Sequence, residues 1–368
     1  MSIYENISKK QLMKHPIRVL SNAFYAFRSG EKAGKPFKIK FESSAVCNLK
    51  CIMCPLTHGL NRKQGFLKFE NFKKVYDEIK VPYLNLTGLG EPLLNPDIFK
   101  IIKYARKHKS LVKLDTNATL LDEENIKKLL SAEPSFVSVS LDGITKKSYE
   151  KIRKGANFEK VIVNLKKFVE YRNITRSKTQ IQLFYVFQKE NIKDLIEYIK
   201  FADKIGVDVI NTAVAMSFGK ADNTDKRKID SKEIEKVKKE LKEIKNKVRV
   251  NLNLESIEDF LNNPESYEES VKDKPCFYLW YNPCITWDGY VVPCDIHCNN
   301  EVVLGNAFQE KFMNIWNNKK AREFRKQLIK KRTGVCAKCF VDESFIFDKF
   351  KPFYNLPLLN QFSFRKIK

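Results

Sequence analysis

The sequence holds no apolar run long enough to cross a membrane. Its apolar stretches are short and broken by Lys, Glu or Asn, whereas a spanning helix needs roughly 20 apolar residues. The N-terminal region lacks the uninterrupted apolar segment of a secretory signal, so a cytoplasmic chain is expected. Acidic residues are in short supply: 44 Asp and Glu face 68 Lys and Arg, a formal charge of +24. That surplus can attract anionic headgroups, nucleic acid or acidic small molecules. It also simply solvates helix faces, as along Lys236–Lys247. No internal repeat is present beyond an alternation of strands and helices. The nine cysteines do not read as a disulfide framework, which belongs to small extracellular scaffolds. They fall near residue 50, between 276 and 298, and at 336 and 339. Grouped cysteines in a reducing compartment point to metal or redox chemistry.

What is present is a β-α series. The 368 residues suffice for one large α/β-barrel core with a small appendage. Strand patterns cover Phe37–Glu42, Tyr83–Thr87, Val112–Thr116, Phe136–Leu141, Gln180–Phe187 and Val207–Val214. Helical patterns between them cover Glu70–Ile79, Asp97–Lys107, Asp122–Leu130, Phe158–Tyr171 and Ile192–Ile205. Asp122 with Asn125 marks one helix start, and Pro96-Asp97 another. Six such repeats predict a parallel sheet with right-handed crossovers. A polar linker, Ser217–Ser231, leads to a charged helix, Ser231–Lys247, and a strand, Val248–Leu254. Ile285–Pro293 reads as a hairpin around Trp287-Asp288-Gly289, and Phe308–Ile329 as a helix.

The first cysteine group is Cys47-Asn-Leu-Lys-Cys51-Ile-Met-Cys54. Three thiolates at this spacing can hold three irons of a cubane whose ligands are normally four cysteines. No fourth cysteine lies nearby, so one iron stays open, as catalytic zinc sites keep a position open. A structural zinc site is the alternative, with His58 as fourth ligand. The spacing resembles the signature of the radical S-adenosylmethionine (SAM) superfamily, and it sits after the first strand of a β-α series. The resemblance spans roughly residues 38–215. It implies an incomplete parallel (β/α)6 TIM-like barrel, with a [4Fe-4S] cluster that chelates SAM through its open iron. It also implies reductive cleavage of SAM to a 5′-deoxyadenosyl radical, which takes hydrogen from an unactivated C–H bond.

Further residues follow from the same resemblance. Thr87-Gly88-Leu89-Gly90-Glu91-Pro92 resembles the family's Gly-Gly-Glu-Pro motif, which holds the SAM ammonium; Gly88, Gly90 and Glu91 are its candidates. Met53 stands where a side chain packs near adenine. Asn117, Ser140 and Asp142 are candidate contacts to ribose and methionine, and Arg153 to the SAM carboxylate.

Among the remaining cysteines, Cys276, Cys294 and the pair Cys336 and Cys339 flank the hairpin and the following helix. This region is similar to the C-terminal auxiliary-cluster part of SPASM and twitch proteins, in a small α+β domain. The similarity implies one auxiliary [4Fe-4S] cluster on Cys276, Cys294, Cys336 and Cys339. Cys284 and Cys298 are left over, and two thiols do not complete another cubane. Cys284 reads as a buried small hydrophobe; Cys298 competes with Cys294. A four-cysteine zinc site is the alternative. Asp295 follows Cys294, where a sulfatase-maturing family places a general base, so it is the candidate catalytic residue.

The expected organisation is a basic aromatic extension (1–37), the barrel (38–217), a linker with a charged helix (218–274), the auxiliary-cluster domain (275–340) and an aromatic basic tail (341–368). A peptide or protein side chain is the first expected substrate, ahead of a sugar or aminocyclitol alcohol and a membrane lipid. Flavodoxin or ferredoxin is the expected electron donor. The basic aromatic ends suit peripheral contact with an anionic membrane. Nucleic acid is not the expected partner; the non-enzymatic alternative is a zinc-bearing RNA-binding module.

Overall fold

The structure, a computed structural model, describes residues 14–28, 31–217, 220–252, 258, 261–262, 276 and 278–339. The aromatic tail falls outside these residues, as do residues 1–13. Six strands form the expected parallel core. They are β1 (Lys38–Phe41), β2 (Tyr83–Asn85), β3 (Leu111–Thr116), β4 (Phe136–Ser140), β5 (Gln180–Phe187) and β6 (Val209–Val214). A two-residue strand, β7 (Asn251–Leu252), continues the sheet in parallel beyond β6.

Helix α1 (Pro16–Arg28) precedes β1. The crossovers between successive strands hold α2 (Phe69–Ile79), α3 (Ile98–Lys107), α4 (Glu123–Ser131), α5 (Lys146–Ile152) with α6 (Phe158–Ile174), α7 (Leu195–Ile205) and the charged α8 (Ser231–Ile244). Side chains alternate across a strand. One set, including Ile39, Phe41, Leu84, Val112, Leu114, Val139 and Leu183, joins the helices in the main core. The other set points into the barrel and is largely polar. Register aligns Lys40, Asn85 and Lys113 in one row, and Asp115, Ser138 and Gln182 in the next. Phe136, opposite Lys113 in the first row, joins Phe37, Tyr83 and Val19 of α1 in a separate apolar cluster.

Asp122 caps α4 as expected, accepting from Asn125 N at 2.9 Å. Asp97 behaves differently: its carboxylate takes the Phe69 N–H of α2 at 2.8 Å instead of capping its own helix. The short α5 escaped the periodicity reading. Thr145 caps it by accepting from Ser148 N, which is where a short helix keeps a sequence signal.

The small C-terminal part shares the barrel's sheet. After α9 (Tyr278–Tyr281), strands β8 (Cys284–Ile285) and β9 (Tyr290–Val292) form the expected hairpin, and β10 (Gly305–Asn306) adds to it. β8 pairs in parallel with β1, Lys40 opposite Cys284. One ten-stranded sheet therefore runs β10-β9-β8-β1-β2-β3-β4-β5-β6-β7. The expected single helix over Phe308–Ile329 is two, α10 (Phe312–Trp316) and α11 (Lys319–Lys330). The break falls at Asn318, whose side chain accepts from Ala321 N and starts a new helix.

Candidate active site

The loop carrying the first cysteines is tied down along its length. Gly90 N donates to Ser44 O (3.0 Å) and Glu91 N to Val46 O (2.8 Å). Beyond Cys47, Lys50 N donates to Lys154 O and Ile52 N to Ile152 O. These bonds require close approach. A Cβ at Gly88 would lie 2.5 Å from Ser44 O, and one at Gly90 2.3 Å from Val46 O. The two glycines thus make room for the cysteine loop itself.

Cys47, Cys51 and Cys54 face one cavity of about 270 Å³. Met53, Gly88, Gly90, Glu91, Asn117, Ser140 and Arg153 line the same cavity, and so does Asp295 from the C-terminal part. Asp142 alone among the candidate SAM contacts stands behind this surface. It is fully buried; one oxygen lies 2.6 Å from Arg153 Nη2 and the other accepts from Val186 N. Arg153 reaches Cys51 Sγ with its other terminal nitrogen at 3.8 Å. Burial alone would lower Arg153, but Asp142 and then Cys51 outweigh it and hold the guanidinium charged.

Glu91 is also committed within the protein. Oε1 accepts from Thr116 Oγ1 (2.7 Å) and Leu93 N (3.1 Å), and Oε2 from Asn117 N (2.8 Å). Its carboxylate ties the end of β2 to the end of β3, with burial pushing its pKa up. Asn117 Nδ2 donates to Asn48 Oδ1 at 2.9 Å and lies 3.9 Å from Cys47 Sγ. Thr87 Oγ1, at the cavity, is buried without a hydrogen-bond partner. His58 bonds the Ile52 carbonyl at 2.9 Å. Cys54 is pushed up to about 11 by burial and by its two thiol neighbours.

The second group gathers around Cys294. Burial raises that thiol first; Asp295 and then Cys276, Cys336 and Cys339 add to the effect. All four expected ligands therefore lie within electrostatic reach of one another's neighbourhood. Cys284 instead has Lys40, Asp295 and Glu42 around it, and Cys298 has Glu301 and Arg62. None of the nine cysteines forms a disulfide. Among the described residues, no three His, Cys, Asp or Glu side chains converge on a point fit for one metal ion. A cubane makes a different demand, since each thiolate binds its own iron.

Three residues of the site were not legible in the sequence. Lys40, on β1, donates to Asp295 Oδ2 at 2.8 Å inside the cavity. Burial pushes Asp295 up, but Lys40 and Lys38 hold it below the usual carboxylate range. His297 is buried with Nε2 3.5 Å from Cys336 Sγ; its place three residues after Cys294 was the available signal. Arg62 forms a bidentate pair with Glu42 (2.8 and 2.6 Å), while its Nε donates to Cys298 O at 2.6 Å. It joins the loop after Cys54 to the loop after Cys294. Beside it, Gly65 lies flat on Trp287, where a Cβ would approach the ring to 2.5 Å.

Comparison with known proteins agrees with this geometry. The family model described as radical SAM superfamily matches residues 41–202. The model described as SPASM, iron-sulfur cluster-binding domain, matches residues 276–340. An AdoMet-dependent heme synthase of Methanosarcina barkeri is 26% identical over 324 residues, 82% of this chain and 88% of that protein. The mycofactocin maturase of Mycobacterium tuberculosis is 28% identical, over 46% of this chain and 43% of that protein. Streptococcus suis SuiB, solved bound to its precursor peptide SuiA, shares the fold with a TM-score of 0.62. The two are 16% identical over 90% of this chain and 75% of SuiB. Among the described residues, no helix is long and apolar enough to cross a membrane.

Proposed function

The chain belongs to the radical SAM superfamily and carries a C-terminal SPASM domain, and from that premise we propose a radical maturase acting on a peptide. Cys47, Cys51 and Cys54 would hold the SAM-binding [4Fe-4S] cluster, and Cys276, Cys294, Cys336 and Cys339 one auxiliary [4Fe-4S] cluster. The donor set suits these groups: soft thiols on a fixed loop, a buried cation at Cys51, and an unpartnered Thr87 hydroxyl at the cavity. When bound, SAM and the reduced cluster supply a radical able to take hydrogen from an unactivated C–H bond. The carrying observation is that the first cysteines and Asp295 line one cavity.

The chain's own side chains then have distinct tasks. Asp142 orients Arg153, and Arg153 offsets negative charge at Cys51. Glu91 fixes the Asn117 backbone, so that Asn117 and Ser140 present polar groups to the cavity along with Met53. Gly88 and Gly90 hold the cysteine loop against β2. Lys40 keeps Asp295 ionised, so Asp295 can receive a proton from substrate. We place the working barrel at 38–217 and the auxiliary domain at 275–340. The electron donor is a flavodoxin or ferredoxin, and any membrane contact is peripheral.

The peptide reading takes its support from a fold shared with a protein solved with its precursor peptide. The broad match to a heme synthase keeps a small-molecule substrate as the second reading. The test is anaerobic reconstitution followed by dithionite. About eight irons per chain are expected from two cubanes, with 5′-deoxyadenosine formed from SAM. Cys47→Ala should abolish that product, and Cys294→Ala should remove about half the iron. Reduced, iron-loaded protein that leaves SAM intact overturns the reading.

A further inference from the structure

His297 is a polar side chain buried beside the second cysteine group, 1% exposed. Its backbone N–H donates to Cys294 O at 3.2 Å, so a tight turn beginning at Cys294 fixes where the ring starts. The ring meets Phe324 of α11 edge-on, with centroids 5.7 Å apart. From there Nε2 lies 3.5 Å from Cys336 Sγ, 39 positions away in sequence. Cys336 sits in a short 3-10 helix, Gly334–Lys338, and its carbonyl accepts from Cys339 N at 3.2 Å. His297 therefore joins the turn that carries Cys294 to the turn that carries Cys336 and Cys339.

A ring that only filled space here would need no nitrogen. Nδ1 is buried and has no hydrogen-bond partner among the described residues, and a buried polar atom without a partner is unfavourable. An apolar ring of similar size would avoid that cost. The nitrogen that does find a partner is the one facing a thiol. A free thiol can donate or accept, and so can a ring nitrogen. Cys336 bound to a metal has lost its proton, so the hydrogen between the two atoms then comes from Nε2. Hydrogen bonds to the sulfurs are among the features that set the potential of an iron–sulfur cluster. An added electron raises the negative charge on those sulfurs, so a fixed donor stabilises the reduced form more than the oxidised one.

We propose that His297 is a positioning residue that donates through Nε2 to Cys336 and raises the reduction potential of the auxiliary cluster, easing electron uptake at that site. This rests on the reading above that Cys276, Cys294, Cys336 and Cys339 hold such a cluster.

The test uses the full chain, reconstituted anaerobically, as wild type, His297→Phe and His297→Gln. Iron content comes first: about eight irons per chain mean that both clusters are loaded. Potentiometric titration followed by electron paramagnetic resonance then gives a midpoint for each site, and the site whose spectrum responds to SAM is the SAM-binding one. The other midpoint should fall in His297→Phe by about tenfold in the reduction equilibrium, or about 59 mV for one electron. His297→Gln keeps an N–H donor and should recover part of the shift. The SAM-responsive midpoint should stay in place in both. In wild type made with isotope-labelled histidine, pulsed resonance on the reduced auxiliary cluster should show the weak coupling of a nitrogen that is hydrogen-bonded to sulfur; this measurement decides where His297→Phe does not load. An auxiliary midpoint that does not fall in loaded His297→Phe overturns the proposal. So does the absence of a histidine coupling, or the strong coupling of a nitrogen bound directly to iron. Wild type that loads only about four irons instead overturns the auxiliary-cluster reading itself.

Discussion

Arg62 spends three of its nitrogens on two partners from different parts of the chain: both Glu42 oxygens and the Cys298 carbonyl. The ion-paired side chains are 6% and 4% exposed. Removing one member of a buried pair leaves the other charged and desolvated, at about 3–5 kcal/mol. Arg62→Ala should therefore lower the unfolding free energy by that amount, read from a lowered urea midpoint, and adding Glu42→Leu should recover part of the loss. An unchanged midpoint would show that the pair contributes nothing.

Lys113 gives a pH-dependent prediction. Burial lowers its folded pKa below the unfolded value, so between the two the unfolded chain binds more protons. Stability then rises with pH up to the ordinary lysine value of about 10.4. Urea unfolding should show the stability difference between the wild type and Lys113→Met moving in favour of the wild type as pH rises from about 8 to about 10, the thiols contributing equally to both. Neither residue could be singled out from sequence. Lys113 looks like any strand lysine in a chain with 68 basic residues, and Arg62 finds its partners 20 and 236 positions away. Cys47, Cys51 and Cys54 were legible because their chemistry is local.

Elements end in an unusual way for want of glycine. The chain has 13 glycines, and Lys109, Glu133 and Arg176 adopt positive φ just past α3, α4 and α6. Gly206, directly after α7, fills such a position with the residue that suits it. Arg176→Gly and Lys109→Gly should each stabilise by up to about 1 kcal/mol, read as raised melting temperatures. A decrease would mean that the side chains hold contacts outweighing the strain. Strands and long helices were readable from period alone. The split at Asn318 was not, because Phe308–Ile329 keeps its apolar spacing across the break while one side-chain cap decides the outcome.

At the scale of the molecule, β1 has neighbours on both sides, β2 and β8. The small C-terminal domain was legible in its cysteines and hairpin; its pairing with β1 was not, because a parallel pairing of two-residue length carries no periodic signature. A chain ending at residue 274 would expose the edge of β1, and unpaired edges recruit other chains. Such a truncation should elute as aggregate in gel filtration while the full chain elutes as a discrete species. A well-behaved truncated monomer would show that the junction is dispensable.

The same junction bears on electron transfer. Lys40 N and Glu42 N donate to Pro283 O and Ile285 O, so the backbone leading to Cys47 and that leading to Cys294 are rungs of one ladder. With the proposed clusters bound at the two cysteine groups, this shared ladder would hold their separation fixed, and transfer between them would be indifferent to solvent viscosity, leaving substrate arrival as the step that a thickened medium slows.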